Sequence, residues 1–382
     1  MIKKALIITH HYLNGNGGGV YASRAYINAF SECTENLYLL YPVKGNELCE
    51  GINKKITAYP IRYDKNPYDK FIDLCKGRVH RYNDVFSFYM QQIKPDVVIF
   101  DKSTCSFRLI DKAHNFGAKV ITIHHNYEYE YDKDNNKGIL KALQLFWDKR
   151  YEKEAVQKSD LNITLTTQDT YKLAQTFNDN DISKFEKLGC FEYTQSNVNI
   201  FNHDSTICKH RFVITGNLSA VQTELSLIKW LDVYYPILKD IDTEASLIIA
   251  GKSPSTKLKS KCKELGIKII PSPENMSVIL KNSDYYICPT ELGGGLKLRI
   301  MDGLKYGLPV ITHEVSARGY DDFTELGFVI PYHDSLSFRN ALIKISSSHI
   351  KRAEIVKNYQ QLFSYKSGVE RLKSILIKRF FY

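Results

Sequence analysis

The chain has no apolar run near the roughly 20 residues that a membrane-crossing helix needs, so a helical integral membrane protein is excluded. After Lys3 and Lys4 the apolar run Ala5 to Ile8 is too short for the core of a secretory signal, and a cytoplasmic protein is expected. Eight cysteines stand singly, never as C-x-x-C, which points away from a disulfide framework or a zinc knuckle and toward reduced, packing thiols. Zinc-finger, RNP and helix-turn-helix patterns are missing and the basic residues are dispersed, so nucleic acid is not an expected partner. Acid is in deficit as well. With 42 Asp and Glu against 52 Lys and Arg the formal net charge is +10, which favours anionic partners: nucleotide diphosphates, lipid phosphates, an anionic membrane face.

What remains is an ordinary globular composition, 43% hydrophobic and 25% charged, in 382 residues, enough for two domains. Short apolar runs read as strands at Ala5 to Ile8, Leu37 to Tyr41, Ile56 to Tyr59, Val97 to Phe100, Val120 to His124 and Leu161 to Leu165, with helical patterns between them. The alternation restarts at Phe212 to Thr215 and continues through Ser246 to Ala250, Ile267 to Ile270, Tyr285 to Cys288, Val310 to Thr312 and Phe328 to Ile330. That order predicts an α/β chain with two parallel sheets covered by helices. A linker is expected between Asn178 and His210, where the pattern weakens. The spacing between Tyr68 and Ile93 predicts one long amphipathic helix, with Lys70, Lys76, Arg78 and Arg81 interleaved; it either packs on the core or meets an anionic membrane. Ser367 to Tyr382 reads as a last helix with an apolar stripe and the basic end K-R-F-F-Y.

Three places carry chemistry. From Pro289 to Pro309 the chain reads P-T-E-L-G-G-G-L-K-L-R-I-M-D-G-L-K-Y-G-L-P, glycines between a strand and a helix spaced as Leu296, Ile300, Leu304. Such a bend lets backbone approach a ligand, and a helix opening there aims unpaired N–H groups at it. Lys297 and Arg299 lie in the expected first turn, unfavourable for the dipole unless an anion sits above them. The first strand likewise runs into a glycine loop, Gly17, Gly18 and Gly19, before a helix from Val20; it lacks the G-x-G-x-x-G order of a dinucleotide site, so a nicotinamide enzyme is not expected. The strand V-I-T-I-H-H-N-Y-E places His125, Asn126 and Glu128 at a carboxyl end, where open α/β sheets bind ligands, while His124 should face the other way. A metal site from the pairs His10 with His11 and His124 with His125 lacks a patterned third ligand, and no metal or cofactor is expected.

G-G-G-L-K-L-R-I-M-D-G-L-K-Y-G-L-P-V-I resembles the donor-binding signature of glycosyltransferase family 4, and H-N-Y-E resembles the H-N-x-E that many relatives place after a central strand. The resemblance implies the GT-B fold: two Rossmann-like domains with a cleft between them, 1–190 for the acceptor and 191–365 for the donor, and a terminal helix 366–382 returning to the first. It implies metal-independent transfer with retention from a nucleotide-diphosphate sugar, a UDP-sugar favoured, to a glycan acceptor; the basic amphipathic stretches suit a lipid-diphosphate-linked acceptor in bacterial surface polysaccharide assembly, with soluble proteins and free glycans as the alternative. On that pattern Lys297 and Arg299 hold the diphosphate, Asp302 meets the ribose where the family usually has Glu, and His125 stands beside the transferred sugar with Asn126 and Glu128 near. The donor set is Gly216, Asn217, Glu291, Gly293, Gly294, Gly295, Leu296 and Asp302, and Gly17, Gly18 and Gly19 face the phosphates and acceptor. Two departures stand out. Many members have an acid at the position of Gly294, for which Glu291 is the nearest substitute, and an Arg and a Lys where Gly216, Asn217 and Leu218 stand. A nucleotide-sugar epimerase, an inverting transferase and a donor-binding partner subunit without activity use the same scaffold.

Overall fold

The computed structural model describes residues 2–15, 17–43, 49–62, 66–77, 82–135, 138–195, 210–293, 295–348 and 350–380, without the side chains of 134 and 135. The chain divides into two compact units, Met1–Ser196 with Phe363–Tyr382, and Asn197–Leu362.

In the first unit seven strands form one sheet: β1 (Ile2–Thr9), β2 (Thr34–Pro42), β3 (Thr57–Ile61), β4 (Val97–Asp101), β5 (Lys119–His124), β6 (Leu161–Thr164) and β7 (Phe185–Lys187). Their order is β3-β2-β1-β4-β5-β6-β7, all parallel. β1, β4 and β5 are apolar nearly throughout because both faces are covered by helices, the usual consequence of parallel crossovers. The strand order reverses between β1 and β4, so their carboxyl ends open the crevice in which such sheets bind ligands. Register puts Thr9 opposite Asp101 and Asp101 opposite Ile123.

The terminal helix Tyr365–Phe380 packs on the helix Gly18–Cys33 with Leu372, Ile375 and Leu376 buried. Its Lys378 and Arg379 both reach Glu186 Oε1 at 2.8 Å, so these two charges of the K-R-F-F-Y end are taken up inside the unit; Phe381 and Tyr382 lie outside the described residues. The single long helix expected from Tyr68 to Ile93 is instead two, Pro67–Cys75 and Phe86–Ile93. Lys76 caps the first and Gly77, at φ +67°, turns the chain where a Cβ would strike Trp147, which is why the pattern breaks. Tyr82, Phe86, Met90 and Ile93 join the core; Arg78, Val79 and Arg81 lie outside the described residues.

The second unit has six parallel strands, β8 (Arg211–Asn217), β9 (Ser246–Lys252), β10 (Lys268–Pro271), β11 (Tyr285–Cys288), β12 (Val310–His313) and β13 (Val329–Tyr332). Their order is β10-β9-β8-β11-β12-β13, with the reversal between β8 and β11. Trp230, Tyr234, Tyr332 and Phe338 pack edge to face or tilted on one side of the sheet, the arrangement aromatic quadrupoles favour. At the opposite end of β11 the buried Asp284 carboxylate accepts from Arg211 Nε at 2.8 Å and Arg352 Nη2 at 3.2 Å, which ties three segments at the amino ends of the strands.

Candidate functional site

The glycine-rich bend of the second unit lies at the carboxyl end of β11, next to β8. The helix after it starts later than the sequence suggests, at Arg299, and runs only to Lys305. Its opening turn closes by bonds three residues apart, Ile300 N–H to Lys297 O at 3.0 Å and Met301 N–H to Leu298 O at 2.9 Å, and the Tyr320 hydroxyl pins Lys297 O at 3.0 Å. Lys297 therefore precedes the helix, and so short a helix leaves the electrostatic weight on side chains rather than on a dipole. Ile300 and Leu304 are buried as expected, but Leu296 stands in the bend, half-buried.

Arg299 is the centre of this region. Its Nη2 donates to Thr223 Oγ1 at 3.0 Å and its Nη1 lies 3.4 Å from Thr290 Oγ1. The guanidinium occupies the place of a missing side chain: a Cβ on Gly216, at φ +148°, would lie 2.9 Å from Arg299 Nη1. Gly216 is thus needed for the arginine as much as for any ligand. Among the described residues Arg299 has hydroxyl partners and no carboxylate, an unusual state for a half-buried arginine. Lys297 Nζ reaches Gly293 O at 3.3 Å. Gly293, at φ +82°, has Gln222 where its Cβ would be, and Gly295 also has positive φ, +70°. Asn217 is exposed and turns its Oδ1 to Ser219, and Asp302 is exposed on the helix. Glu291 accepts two bonds from Lys229 Nζ, at 2.7 and 3.0 Å, and its backbone N–H donates to Ser226 Oγ at 3.1 Å, so its carboxylate is already engaged. Gly294 lies outside the described residues.

In the first unit β1, β4 and β5 bring Thr9, Asp101 and His125 together. Asp101 is fully buried; its Oδ2 accepts from Thr9 Oγ1 at 2.6 Å and its Oδ1 pairs with His125 Nε2 at 2.6 Å. Burial alone would raise this carboxyl, but the charge and hydrogen bond of His125 outweigh it and hold it well below the usual carboxylate range. The His11 backbone N–H donates to Thr9 Oγ1 at 3.2 Å, and its ring lies 5.4 Å from that of His125. That ring fills the space where a Cβ on Gly19 would come within 2.7 Å, so the glycine loop touches the histidine site through His11. Gly17 caps the helix with open space about it, and Gly18 opens it, exposed. Burial, then repulsion from His125, pushes the His11 imidazole down to about 3. His124 faces the other way, with Nε2 2.9 Å from Asn162 Oδ1, and burial lowers it to about 4.

Glu128 is buried against Lys102 Nζ at 2.9 Å, and Asn126 Nδ2 lies 3.4 Å from Glu128 Oε1. Glu128 accordingly anchors the segment after β5 rather than standing free near His125. Lys102 itself has φ +103°, a strained backbone of the kind found at ligand sites. Asp101, Thr9, Lys102, Thr223 and Thr290 were not singled out by the sequence patterns, and His11 only as half of a weighed metal pair. Asp101 could have been: it ends the run V-V-I-F-D at the carboxyl end of a buried strand.

Residues 209–348 match the family model described as glycosyl transferases group 1. No curated protein sequence matches the chain. Among solved structures, sucrose-phosphate synthase from Thermosynechococcus elongatus aligns with TM-score 0.70 at 13% identity over 99% of both chains. HepE from Anabaena, solved with UDP, aligns with TM-score 0.66 at 11% identity over 98% of this chain and 100% of that one. The lipopolysaccharide outer core galactosyltransferase WaaB aligns with TM-score 0.64 at 12% identity over 99% of this chain and 100% of that one. The two parallel Rossmann-like sheets and the terminal helix on the first unit are those of the GT-B fold, and residues 209–348 are similar to the glycosyl transferases group 1.

Proposed function

We propose that the protein transfers a sugar, with retention, from a nucleotide-diphosphate sugar to a glycan acceptor. The observation that carries this is Arg299, a half-buried cation with only hydroxyl partners among the described residues, in a glycine-rich bend inside the segment that matches the family model. A diphosphate supplies the charge that arginine lacks. Lys297 and Arg299 stabilise the departing nucleotide diphosphate, an electrostatic role that acts where charge develops. Gly216, Asn217, Gly293, Gly295, Leu296 and Asp302 line the donor, and Asp302 accepts from the ribose. Glu291, held by Lys229, keeps the bend in place rather than substituting for an acid at Gly294. In the first unit His125 orients a sugar hydroxyl. The bond from the anomeric carbon to the leaving phosphate breaks, the bond to the acceptor oxygen forms, and the acceptor proton passes to the phosphate.

UDP is the nucleotide of choice here, since HepE, with the same fold, is solved with UDP, UDP with glucose, and UDP-glucose. A lipid-linked acceptor in bacterial surface polysaccharide assembly, at the inner membrane face, suits the net charge of +10. No helix among the described residues is long and apolar enough to cross a membrane. The test is to incubate the protein with UDP-, GDP- and ADP-sugars, with and without glycan acceptors, and to read released nucleotide and the anomeric configuration of the product. Retention with release of UDP supports the proposal; conversion of the sugar without release would mark an epimerase, and binding without turnover a partner subunit.

A further inference from the structure

The carboxylate of Asp101 divides its two oxygens between the neighbouring strands: Oδ2 takes the Thr9 hydroxyl hydrogen and Oδ1 faces His125 Nε2, each at 2.6 Å. An ionised carboxylate only accepts, so Nε2 carries a hydrogen, and whenever the ring is neutral its lone pair stands at Nδ1. That nitrogen has no protein partner among the described residues and is not among the buried polar atoms, although the residue is only 5% exposed. Two rings pack against it, Tyr26 at a right angle at 5.9 Å and His11 tilted at 5.4 Å. His124 makes the contrast: it bonds an amide oxygen through Nε2 and buries its Nδ1 without a partner, the pattern of a packed histidine.

We propose that Asp101 is a positioning residue that holds His125 as a hydrogen-bond acceptor at Nδ1, so that the group meeting this nitrogen is a hydroxyl rather than a carboxylate or another acceptor. The hydroxyl's identity as the transferred sugar's rests on the glycosyl-transfer reading; the state of the ring does not. Thr9 acts one step further back, since its hydroxyl orients the carboxylate that orients the ring.

The test reads the ring first, in the free protein. Long-range proton–nitrogen correlation of ¹⁵N-histidine-labelled full chain at about pH 8, above the ordinary histidine range, is assigned with His125→Gln. His125 of the wild type is expected as a single Nε2–H tautomer, unaveraged. Asp101→Ala should let it average over both tautomers, whereas Asp101→Asn, whose amide oxygen accepts the same bond, should restore it. Turnover of a UDP-sugar should fall by about 10²-fold in kcat in Asp101→Ala and less in Thr9→Val, with the Kd for UDP unchanged, as expected when a reacting group is misplaced by about 1 Å. A wild-type ring with a hydrogen on Nδ1, alone or as the imidazolium, or one that averages, overturns the proposal, and this reading stands even if Asp101→Ala does not fold. Unchanged nitrogen shifts and kcat in a folded Asp101→Ala overturn it equally. A fixed Nε2–H ring in a protein that turns over no nucleotide sugar would leave the proposal standing and sink the transferase reading alone.

Discussion

The carboxyl ends of the two sheets are built in opposite ways. At the first, polar groups are buried and matched within the protein: Asp101 on His125, Glu128 with Lys102, and the Glu152 carboxyl accepting the backbone N–H of Glu128 at 2.5 Å and Tyr129 at 3.3 Å. At the second, Arg299 is met among the described residues only by hydroxyls, and Asn217 and Asp302 are exposed. A site whose polar groups satisfy one another holds its geometry without ligand; one whose cation lacks an anion is completed by ligand. Changes at the first should therefore cost stability and those at the second should cost binding.

The sharpest break between them is Lys102→Met. It leaves the buried Glu128 without its cation and should destabilise the first unit by about 3 kcal/mol or more, read by urea unfolding, with the Kd for UDP unchanged in the folded fraction. A stable Lys102→Met protein would show that the first site is not held by charge matching. Next in size, Gly216→Ala drives a Cβ against the Arg299 guanidinium; UDP should bind about tenfold more weakly, roughly 1.4 kcal/mol, with a smaller change in melting temperature. If melting falls while affinity holds, Gly216 belongs to packing rather than to the donor site.

The smallest effect concerns pH. His11 and His124 are held neutral, at about 3 and about 4, well below the ordinary 6.5. Below 6.5 the unfolded chain binds protons that the folded one refuses, so this contribution to stability is complete above 6.5 and is lost as pH falls toward 4. Asp148, pushed by burial and by Asp132 up to about 8, works the other way and loses its contribution as pH rises from about 4 toward 8. His124→Gln should consequently lose less melting temperature than the wild type between about pH 7 and 5. An equal loss in both would mean that His124 does not carry acid lability.

Most strands were legible in the sequence because parallel strands are continuous apolar runs, and the glycine-rich bend because glycine and charge interrupt one. β7 is three residues long and fell in a polar stretch that reads as linker. The helix Glu128–Asn135 gives no apolar period; its first N–H groups are capped by Glu152, 24 residues on, a tertiary partner that no local pattern announces. The same distance hid Asp101 from His125. Their pairing follows from β4 lying beside β5, not from spacing, and the grip of Arg299 on Thr223 depends likewise on β8 lying beside β11.

The most direct test is calorimetric titration of UDP into the wild type and Arg299→Ala, at equal and moderate salt. A lost charged hydrogen bond of about 1.5–3 kcal/mol predicts an affinity weaker by roughly 10- to 10²-fold in a variant that remains folded. Undiminished affinity in Arg299→Ala, or a folded wild type that binds none of UDP, GDP and ADP, would contradict the claim that this arginine awaits a nucleotide diphosphate.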